Sequence, residues 1–125
     1  MEKRALRRGL EVTELGLGAA QFGNLFRVTS DEEAASAVDS AWRAGIRYFD
    51  TAPHYGLGLS EHRLGALLRE HPRDEYVIST KVGRLLVPNE DGANSMDDQG
   101  FAVRATQRRV WDFSRDGILR SVEDS

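Results

Sequence analysis

Short strand-like runs and longer helix-like runs of apolar residues alternate along the chain. From Leu6 to Val12 the pattern predicts a small hairpin turned at Arg8-Gly9, and a strand follows at Leu15-Gly16-Leu17-Gly18. Ser30 and Glu33 have the spacing of a capping box, which marks the start of a helix. The apolar positions of this first helix are Ala34, Val38, Ala41 and Trp42.

The middle of the chain repeats the same succession of elements. Gly45 occupies the position where a left-handed residue ends a helix, and the run from Ile46 to Thr51 predicts the next strand. Ser60 is predicted to open a second helix, and Pro72 lies just beyond its end. The buried stripe of this second helix is predicted to consist of Leu64, Leu67 and Leu68.

A third strand is predicted from Tyr76 to Val82. Residues 84–113 show no convincing periodicity, so we expect a long loop there, and such loops in a compact domain are usually functional or disordered. Ser114 then starts a third helix, inside which the sequence ends. The apolar positions of this third helix are Ile118, Leu119 and Val122.

The order strand, helix, strand, helix, strand, loop, helix implies an α/β fold with a parallel sheet. Two closures of this sheet are open, a doubly wound sheet and a (β/α)8 TIM barrel. The dinucleotide fingerprint of the first is absent, because Gly16, Gly18 and Gly23 miss the required spacing. We therefore expect residues 1–125 to form one incomplete domain. We expect this domain to be the N-terminal portion of a (β/α)8 barrel, with a β-hairpin across its N-terminal mouth and about three βα units.

Composition narrows the class of protein. The chain is 40% hydrophobic and 30% charged, with a formal net charge of −3, so no basic excess points to nucleic acid. The longest apolar runs are too short for a membrane span, and the charged start, residues 1–4, has no apolar core after it, unlike a secretory signal. The absence of cysteine removes disulfides, thiol catalysis and thiolate metal sites, and fits a reducing, cytoplasmic location.

The choice of basic residues is uneven. Of the 17 lysines and arginines, only Lys3 and Lys81 are lysines, and Lys81 directly follows the run Val77-Ile78-Ser79-Thr80. Where arginine is the usual cation, a lysine at a strand indicates a need for a compact ammonium with a movable pKa. The alternative is that a lysine occurs at this position by chance.

Asp50, Tyr55 and Lys81 fall at or just past the C-terminal ends of two neighbouring predicted strands, where barrel active sites lie. Because strand side chains alternate between two faces, an inward Lys81 shares its face with Ser79. An inward Asp50 shares its face with Tyr48 in the same way. An isolated buried charge is costly, so we expect the acid and the lysine to pair with each other.

An acid, a phenol and an ammonium together suit proton delivery to a carbonyl. A tyrosine normally loses its proton at about pH 10, and a neighbouring ammonium lowers the pKa of the phenol by stabilising the phenolate. Tyr55 then serves as general acid or base when hydride adds to a carbonyl, while Asp50 keeps Lys81 in place and charged. The equally weighted alternative is a buried Asp50–Lys81 bridge, with Tyr55 as ordinary wall packing.

The histidines and aromatic residues are secondary candidates. His54, beside Tyr55, is a candidate for binding substrate, whereas His62 and His71 fit surface or capping positions. Trp111, in the run Trp111-Asp112-Phe113, either forms a wall of a sugar or small-molecule pocket or pins the loop to the barrel.

Two further kinds of site receive little support. The run from Gly56 to Glu61 leads into a helix N-terminus, which binds anions in many proteins. Glu61 in the first turn instead favours a capped strand-to-helix turn. A metal site is not predicted, because Asp50 and His54 come from one strand and the sequence holds no second cluster of ligands.

Several motifs resemble the aldo-keto reductase family. The main ones are Asp-Thr-Ala at 50–52, Tyr-Gly at 55–56, Ser-Glu at 60–61 and Leu-Gly at 64–65. Further matches lie at residues 9–12, 15–18, 44–49 and 79–83, so the resemblance runs over nearly the whole chain.

This resemblance implies a (β/α)8 barrel that uses NADP or NAD to interconvert carbonyls and alcohols. Asp50, Tyr55 and Lys81 match three members of the family's catalytic tetrad, with Tyr55 as the acid/base. The positions that match the surroundings of the nicotinamide ribose are Gly18, Ala19, Ala20 and Asp50.

Within the family, the chain resembles sugar dehydrogenases that oxidise the anomeric carbon of L-fucose and D-threo-aldoses to a lactone. The segments that carry this narrower resemblance are residues 24–26, 52–61, 82–86 and 111–114. It implies an aldehyde or aldose substrate, and no nucleic-acid or membrane partner.

The sequence also departs from the family pattern. The family's fourth catalytic residue is a histidine on the fourth strand, and none of His54, His62 and His71 matches it. The loops that grip the cofactor phosphates come from the last strands of the barrel. The rival interpretation is therefore a non-catalytic truncated or regulatory fragment without turnover, which could self-associate through open sheet edges.

Overall fold

The computed structural model describes residues 1–92 and 94–125. Its strands are β1 (Lys3–Ala5), β2 (Glu11–Thr13), β3 (Leu17–Gly18), β4 (Tyr48–Asp50), β5 (Val77–Ser79), β6 (Arg84–Pro88) and β7 (Gln107–Trp111). Its α-helices are α1 (Asp31–Arg43), α2 (Leu59–Leu68) and α3 (Arg115–Asp124). The order of elements is the predicted one except between β5 and α3.

The N-terminal hairpin consists of β1 and β2, which pair antiparallel from Lys3–Thr13 to Ala5–Glu11. The chain reverses through Arg8 at φ 64° and Gly9 at φ 78°, in the left-handed region. The predicted turn is confirmed, although the first strand begins at Lys3 rather than near Leu6.

The central sheet is parallel, with strand order β3-β4-β5. Asp50 pairs with Gly18 on one side and with Ser79 on the other, so the three strand ends lie side by side. The hydrophobic core comprises Ala19, Phe22, Ala34, Val38, Phe49, Leu64, Leu68 and Tyr76. The apolar stripes predicted for the first two helices supply half of these residues. Within the described residues the sheet stays open and does not close into a barrel.

Helix α1 has the predicted capping box. The Ser30 hydroxyl accepts from the Glu33 N–H at 3.0 Å, and the Glu33 carboxylate accepts from the Ser30 N–H at 2.8 Å. After the helix, Gly45 takes the left-handed conformation predicted for it, at φ 90°.

Helix α2 begins differently from the prediction. Gly58, at φ 94°, precedes its first residue Leu59, and no side chain caps this end. Ser60 lies inside the helix and is fully buried. Its hydroxyl donates to the Ala19 carbonyl at 2.6 Å and bonds to Thr51 Oγ1 at 2.9 Å. Ser60, predicted to open the helix, is its second residue, and its hydroxyl does not cap the helix because these contacts to both neighbouring strand ends occupy it.

Residues 84–113 are not the predicted long loop. β6 and β7 pair antiparallel over five residues each, from Arg84–Trp111 to Pro88–Gln107. The hydrophobic pattern hides this hairpin, because β7 carries a buried arginine, Arg109, where a strand normally has an apolar residue. Residues 89–106 separate the two strands, so no short turn motif links them either.

Ser114 caps α3 as predicted, with its hydroxyl accepting from the Gly117 N–H at 3.1 Å. The buried positions of this helix are Gly117 and Ser121, whereas Leu119 and Val122 are 45% and 57% exposed. No helix in the described part of the chain combines the length and the apolar character of a membrane span.

Candidate active site

A chain of hydrogen bonds joins β4 to β5 at their C-terminal ends. The Tyr48 hydroxyl lies 3.0 Å from Ser79 Oγ, which donates to Asp50 Oδ1 at 2.6 Å. The Lys81 ammonium donates to Asp50 Oδ2 at 2.7 Å. The predicted approach of Asp50 and Lys81 is confirmed, and so is the shared face with Tyr48 and Ser79.

The residues between these positions, Ile78 and Thr80, point to the other face of the sheet, as strand alternation predicts. Ile78 packs against the core, and the Thr80 hydroxyl donates to Glu61 on α2 at 2.6 Å. The third strand is shorter than predicted, ending at Ser79 rather than Val82. Lys81 therefore lies two residues past β5, where its ammonium also donates to the Thr51 carbonyl at 3.0 Å.

The Asp50–Lys81 pair is partly open to solvent, with side-chain exposures of 39% and 44%. Burial alone would raise the pKa of Asp50, but hydrogen bonds from Lys81 and Ser79 outweigh it and lower that pKa. Burial would lower the pKa of Lys81, but hydrogen bonds with Asp50 and Tyr55 outweigh it and raise that pKa. Both shifts favour the charged pair.

Tyr55 lies in the loop between β4 and α2, and the Lys81 ammonium is 4.9 Å from the centre of its ring. Phe101, from the segment between β6 and β7, packs against this loop, 5.8 Å from the Tyr55 ring and 6.1 Å from the His54 ring. The phenol predicted to meet the ion pair is therefore beside it, held by packing from a distant part of the sequence.

A cavity of about 220 Å³ opens beside Lys81. Its lining includes His54 and Trp111, the two residues predicted to contact substrate, together with Arg84 and Phe113. The Trp111 and Phe113 rings stack 5.5 Å apart, and the Arg84 guanidinium lies 4.1 Å from the centre of the Trp111 ring. Trp111 thus belongs to the wall of a pocket rather than only pinning a loop.

A larger cavity, about 560 Å³, lies between α2, β6 and α3. Its lining contains none of Asp50, Tyr55 and Lys81, whereas Lys81 of the Asp50–Lys81 pair lines the smaller cavity. Because charged groups with shifted pKa values mark functional sites better than cavity size does, we place the candidate site at the smaller cavity.

The residues predicted to lie near a cofactor differ in how much surface they expose to it. The Ala19 N–H donates to the Asp50 carbonyl at 2.8 Å, its carbonyl accepts from Ser60, and the residue is fully buried. Gly18 is exposed, with no atom within 4 Å of the place where a Cβ would stand. Ala20 is half-buried. Open surface for a flat ligand therefore lies at Gly18 and Ala20, next to Asp50.

Sequence reasoning missed the contributions of Arg84, Asp97 and Arg109. Arg109 and Asp97 form a bidentate ion pair, at 2.6 and 3.2 Å, whose side chains are 7% and 3% exposed. These residues fell in the segment read as a loop. The available signal was the pair of apolar runs around Leu85-Leu86 and Val110-Trp111, which mark short strands. Among the described residues, no three His, Cys, Asp or Glu side chains gather to hold a metal ion.

Comparison with known proteins gives the class of protein. A model of the aldo/keto reductase family matches residues 14–125, and the chain belongs to this family. The open parallel sheet, its helices and the hairpin at its start are the N-terminal part of the family's TIM barrel, as the sequence predicted.

Individual relatives agree with this assignment. The chain is 56% identical over 126 residues to a D-threo-aldose 1-dehydrogenase of a Pseudomonas species, matching 99% of this chain and 38% of that protein. It is 47% identical over 133 residues to a pyridoxal 4-dehydrogenase of Microbacterium luteolum, again 99% of this chain and 38% of the relative.

Among solved structures, the holo form of an aldo-keto reductase from Bacillus halodurans superimposes with a TM-score of 0.71 at 31% identity. That match covers 99% of this chain and 35% of the other. The chain thus spans little more than a third of the length of the relatives that it matches.

Proposed function

We propose that this chain carries the proton-transfer residues of an NADP- or NAD-dependent oxidoreductase that acts on C1 of an aldose, or on another aldehyde or alcohol. The observation that carries the proposal is the position of the Lys81 ammonium. It lies 2.7 Å from Asp50 and 4.9 Å from the centre of the Tyr55 ring. The similarity to a D-threo-aldose 1-dehydrogenase favours an aldose.

In this mechanism Tyr55 is the residue that donates and accepts the proton. During reduction its phenol donates a proton to the carbonyl oxygen as that oxygen becomes an alkoxide. During oxidation its phenolate takes the proton from the C1 hydroxyl. The Lys81 ammonium stabilises the phenolate, and Asp50 holds that ammonium in place and charged.

A nicotinamide cofactor would supply or accept the hydride. The chemistry of the site fits such a cofactor, because Gly18 presents open backbone with no side chain in the way. Gly18, Ala20 and Asp50 would hold the nicotinamide side, while the buried, fully bonded Ala19 would only shape the backbone between them.

A hybrid protein tests the proposal, with residues 1–125 replacing the matching segment of the Pseudomonas D-threo-aldose 1-dehydrogenase. In this hybrid, Tyr55→Phe should reduce turnover roughly 10²–10⁴-fold, the usual contribution of a general acid–base group. Cofactor binding, measured by fluorescence titration, should survive. Tyr76→Phe is the matched control, because Tyr76 is buried in the core, packed against Trp42 and Phe49.

The two possible failures have different meanings. Unchanged turnover in Tyr55→Phe would remove Tyr55 from the acid–base role. A folded hybrid that binds cofactor but has no turnover before any substitution would favour the rival interpretation, in which this segment keeps the fold without catalysis.

A further inference from the structure

Two arginines of the β6–β7 hairpin contact His54. Arg84, the first residue of β6, has its Nη1 3.3 Å from His54 Nδ1. Arg109, on β7, donates from Nη2 to the His54 carbonyl at 2.9 Å. One hairpin strand therefore contacts the ring of His54 and the other contacts its backbone.

The backbone contact is firmly anchored. The Arg109 guanidinium is held by both carboxylate oxygens of Asp97, with side-chain exposures of 7% and 3%. Phe101, itself 6% exposed, lies 5.8 Å from the same guanidinium. A bidentate, buried arginine–carboxylate pair has little freedom to move, so it fixes where the carbonyl of His54 lies.

The ring contact determines the tautomer of His54. An arginine side chain has only donors and stays protonated in proteins. The Arg84–His54 hydrogen bond therefore exists only if His54 Nδ1 is the acceptor, which places the ring proton on Nε2. His54 then has one polar group left to offer, the Nε2–H donor.

The charges around His54 keep the ring neutral. Burial, and then the cations Arg84, Arg109 and Lys81, lower the pKa of His54 to about 4, against an opposing contribution from Asp97. A group with this pKa stays neutral across the physiological range. The tautomer set by Arg84 is thus not replaced by the doubly protonated ring.

We propose that Arg84 locks His54 as its neutral Nε2–H tautomer, so that His54 donates a hydrogen bond to a hydroxyl oxygen of a polyhydroxylated aldose bound in the cavity beside Lys81. The inference rests on the proposed function and adds the part of the substrate that is recognised. Arg84 acts here as a positioning residue.

The cavity has the wall that such a ligand needs. Trp111 and Phe113 are 60% and 66% exposed and offer apolar surface for the C–H groups of a sugar. The His54 Nε2–H and the Lys81 ammonium are donors only, which matches the oxygen-rich surface of a neutral sugar. An aldehyde without hydroxyls would leave the His54 donor without a partner, and that asymmetry makes the site selective.

Nitrogen NMR of the chain with 15N-labelled histidine tests whether Arg84 fixes the tautomer of His54, and it does not require catalytic activity. At neutral pH, His54 should show a protonated Nε2 and an unprotonated, hydrogen-bonded Nδ1. Arg84→Ala should give a mixture of tautomers, Arg84→Lys should largely restore the original one, and Arg108→Ala, an exposed neighbour on β7, should change nothing. A wild-type His54 protonated on Nδ1 would overturn the proposal.

Kinetics of the hybrid protein test recognition. Arg84→Ala should raise KM for a D-threo-aldose about tenfold, consistent with losing a well-oriented hydrogen bond. The rise should be much smaller for propanal, which has no hydroxyl. Equal changes for both substrates would contradict the proposal.

The same comparison remains possible without turnover. If the hybrid is inactive, the proposed function fails, and calorimetric binding of the aldose to the wild-type and Arg84→Ala hybrids decides this inference instead. Equal affinities would overturn it, and weaker binding to Arg84→Ala would support it.

Discussion

Gly23 and Gly56 lie backbone against backbone. A Cβ at Gly23 would come within 2.5 Å of the Tyr55 carbonyl carbon, and a Cβ at Gly56 would come within 2.4 Å of the Gly23 oxygen. Any side chain larger than hydrogen would push these two segments apart. The position of Tyr55 therefore depends on a glycine far away in sequence, in the turn that follows β3.

Gly23→Ala should destabilise the protein. The added methyl group meets backbone atoms that cannot move aside alone, and overpacking of this kind costs roughly 1–3 kcal/mol or more in the free energy of unfolding. Gly18→Ala is the control, since its Cβ would meet nothing within 4 Å. Urea denaturation of the hybrid protein measures both, and equal midpoints would show that the close contact does not exist in solution.

Asp97→Asn should be more damaging than removal of a surface ion pair. It leaves the Arg109 guanidinium buried without its countercharge, and breaking such a pair costs roughly 3–5 kcal/mol. Asp39→Asn is the comparison, because it breaks an exposed pair with Arg43 within α1, where about 0.5 kcal/mol is expected. Similar losses in the two variants, measured by denaturation, would argue against a structural role for the buried pair.

Stability should fall in mild acid because of His54. Its pKa drops from 6.5 to about 4 on folding, so between these values the unfolded chain binds a proton that the folded chain does not. The free energy of unfolding should therefore decrease as pH falls from about 6.5 to about 4. His54→Gln should flatten the curve in this window, and an unchanged slope would show that His54 titrates normally.

Asp97 affects the free energy of unfolding at lower pH than His54 does. Ion pairing and hydrogen bonds with Arg109 outweigh burial and lower the pKa of Asp97 below 3.8. The stability that it contributes is present above that value and is lost as pH falls through its folded-state pKa, below the His54 window. The Asp97→Asn curve should thus differ from wild type least at the lowest pH values.

Residues 1–125 alone should bind NAD(P)H weakly or not at all. A complete barrel needs about 250 residues and eight strands, whereas the parallel sheet here has β3 and β5 as open edges. Open edges invite pairing with other chains, so self-association is also expected. Fluorescence titration and size-exclusion chromatography check both points. A monodisperse monomer with micromolar affinity for cofactor would contradict this prediction.

Local rules were enough to predict much of the fold. The capping box at Ser30 and the left-handed Gly45 depend on neighbours in sequence, and both are confirmed. Strand alternation likewise predicted that Asp50 and Lys81 meet. Ser60 was misread because its partners, Thr51 and Ala19, are brought to it only by the fold.

Periodicity did not reveal the hairpin, because a buried arginine interrupts the apolar pattern of β7. Arg109 is buried through Asp97, a partner from the segment between the strands, and a hydrophobicity pattern records no such pairing. Because the hairpin was not predicted, Arg84 was not predicted to belong to the candidate site. Burial, and then the charges of Arg84, Arg109 and Lys81, lower the pKa of His54, and the sequence alone does not bring these residues together.

The first and last residues of the β6–β7 hairpin lie side by side. Arg84 pairs with Trp111, and the Asp112 N–H donates to the Gly83 carbonyl at 3.0 Å, so the chain leaves β5 and returns toward α3 through a closed base. Insertions, deletions or exchanges between these points leave the spacing of β5 and α3 unchanged. An exchange of this hairpin would therefore change the covering of the cavity as a single unit and leave the parallel sheet that bears Asp50 in place.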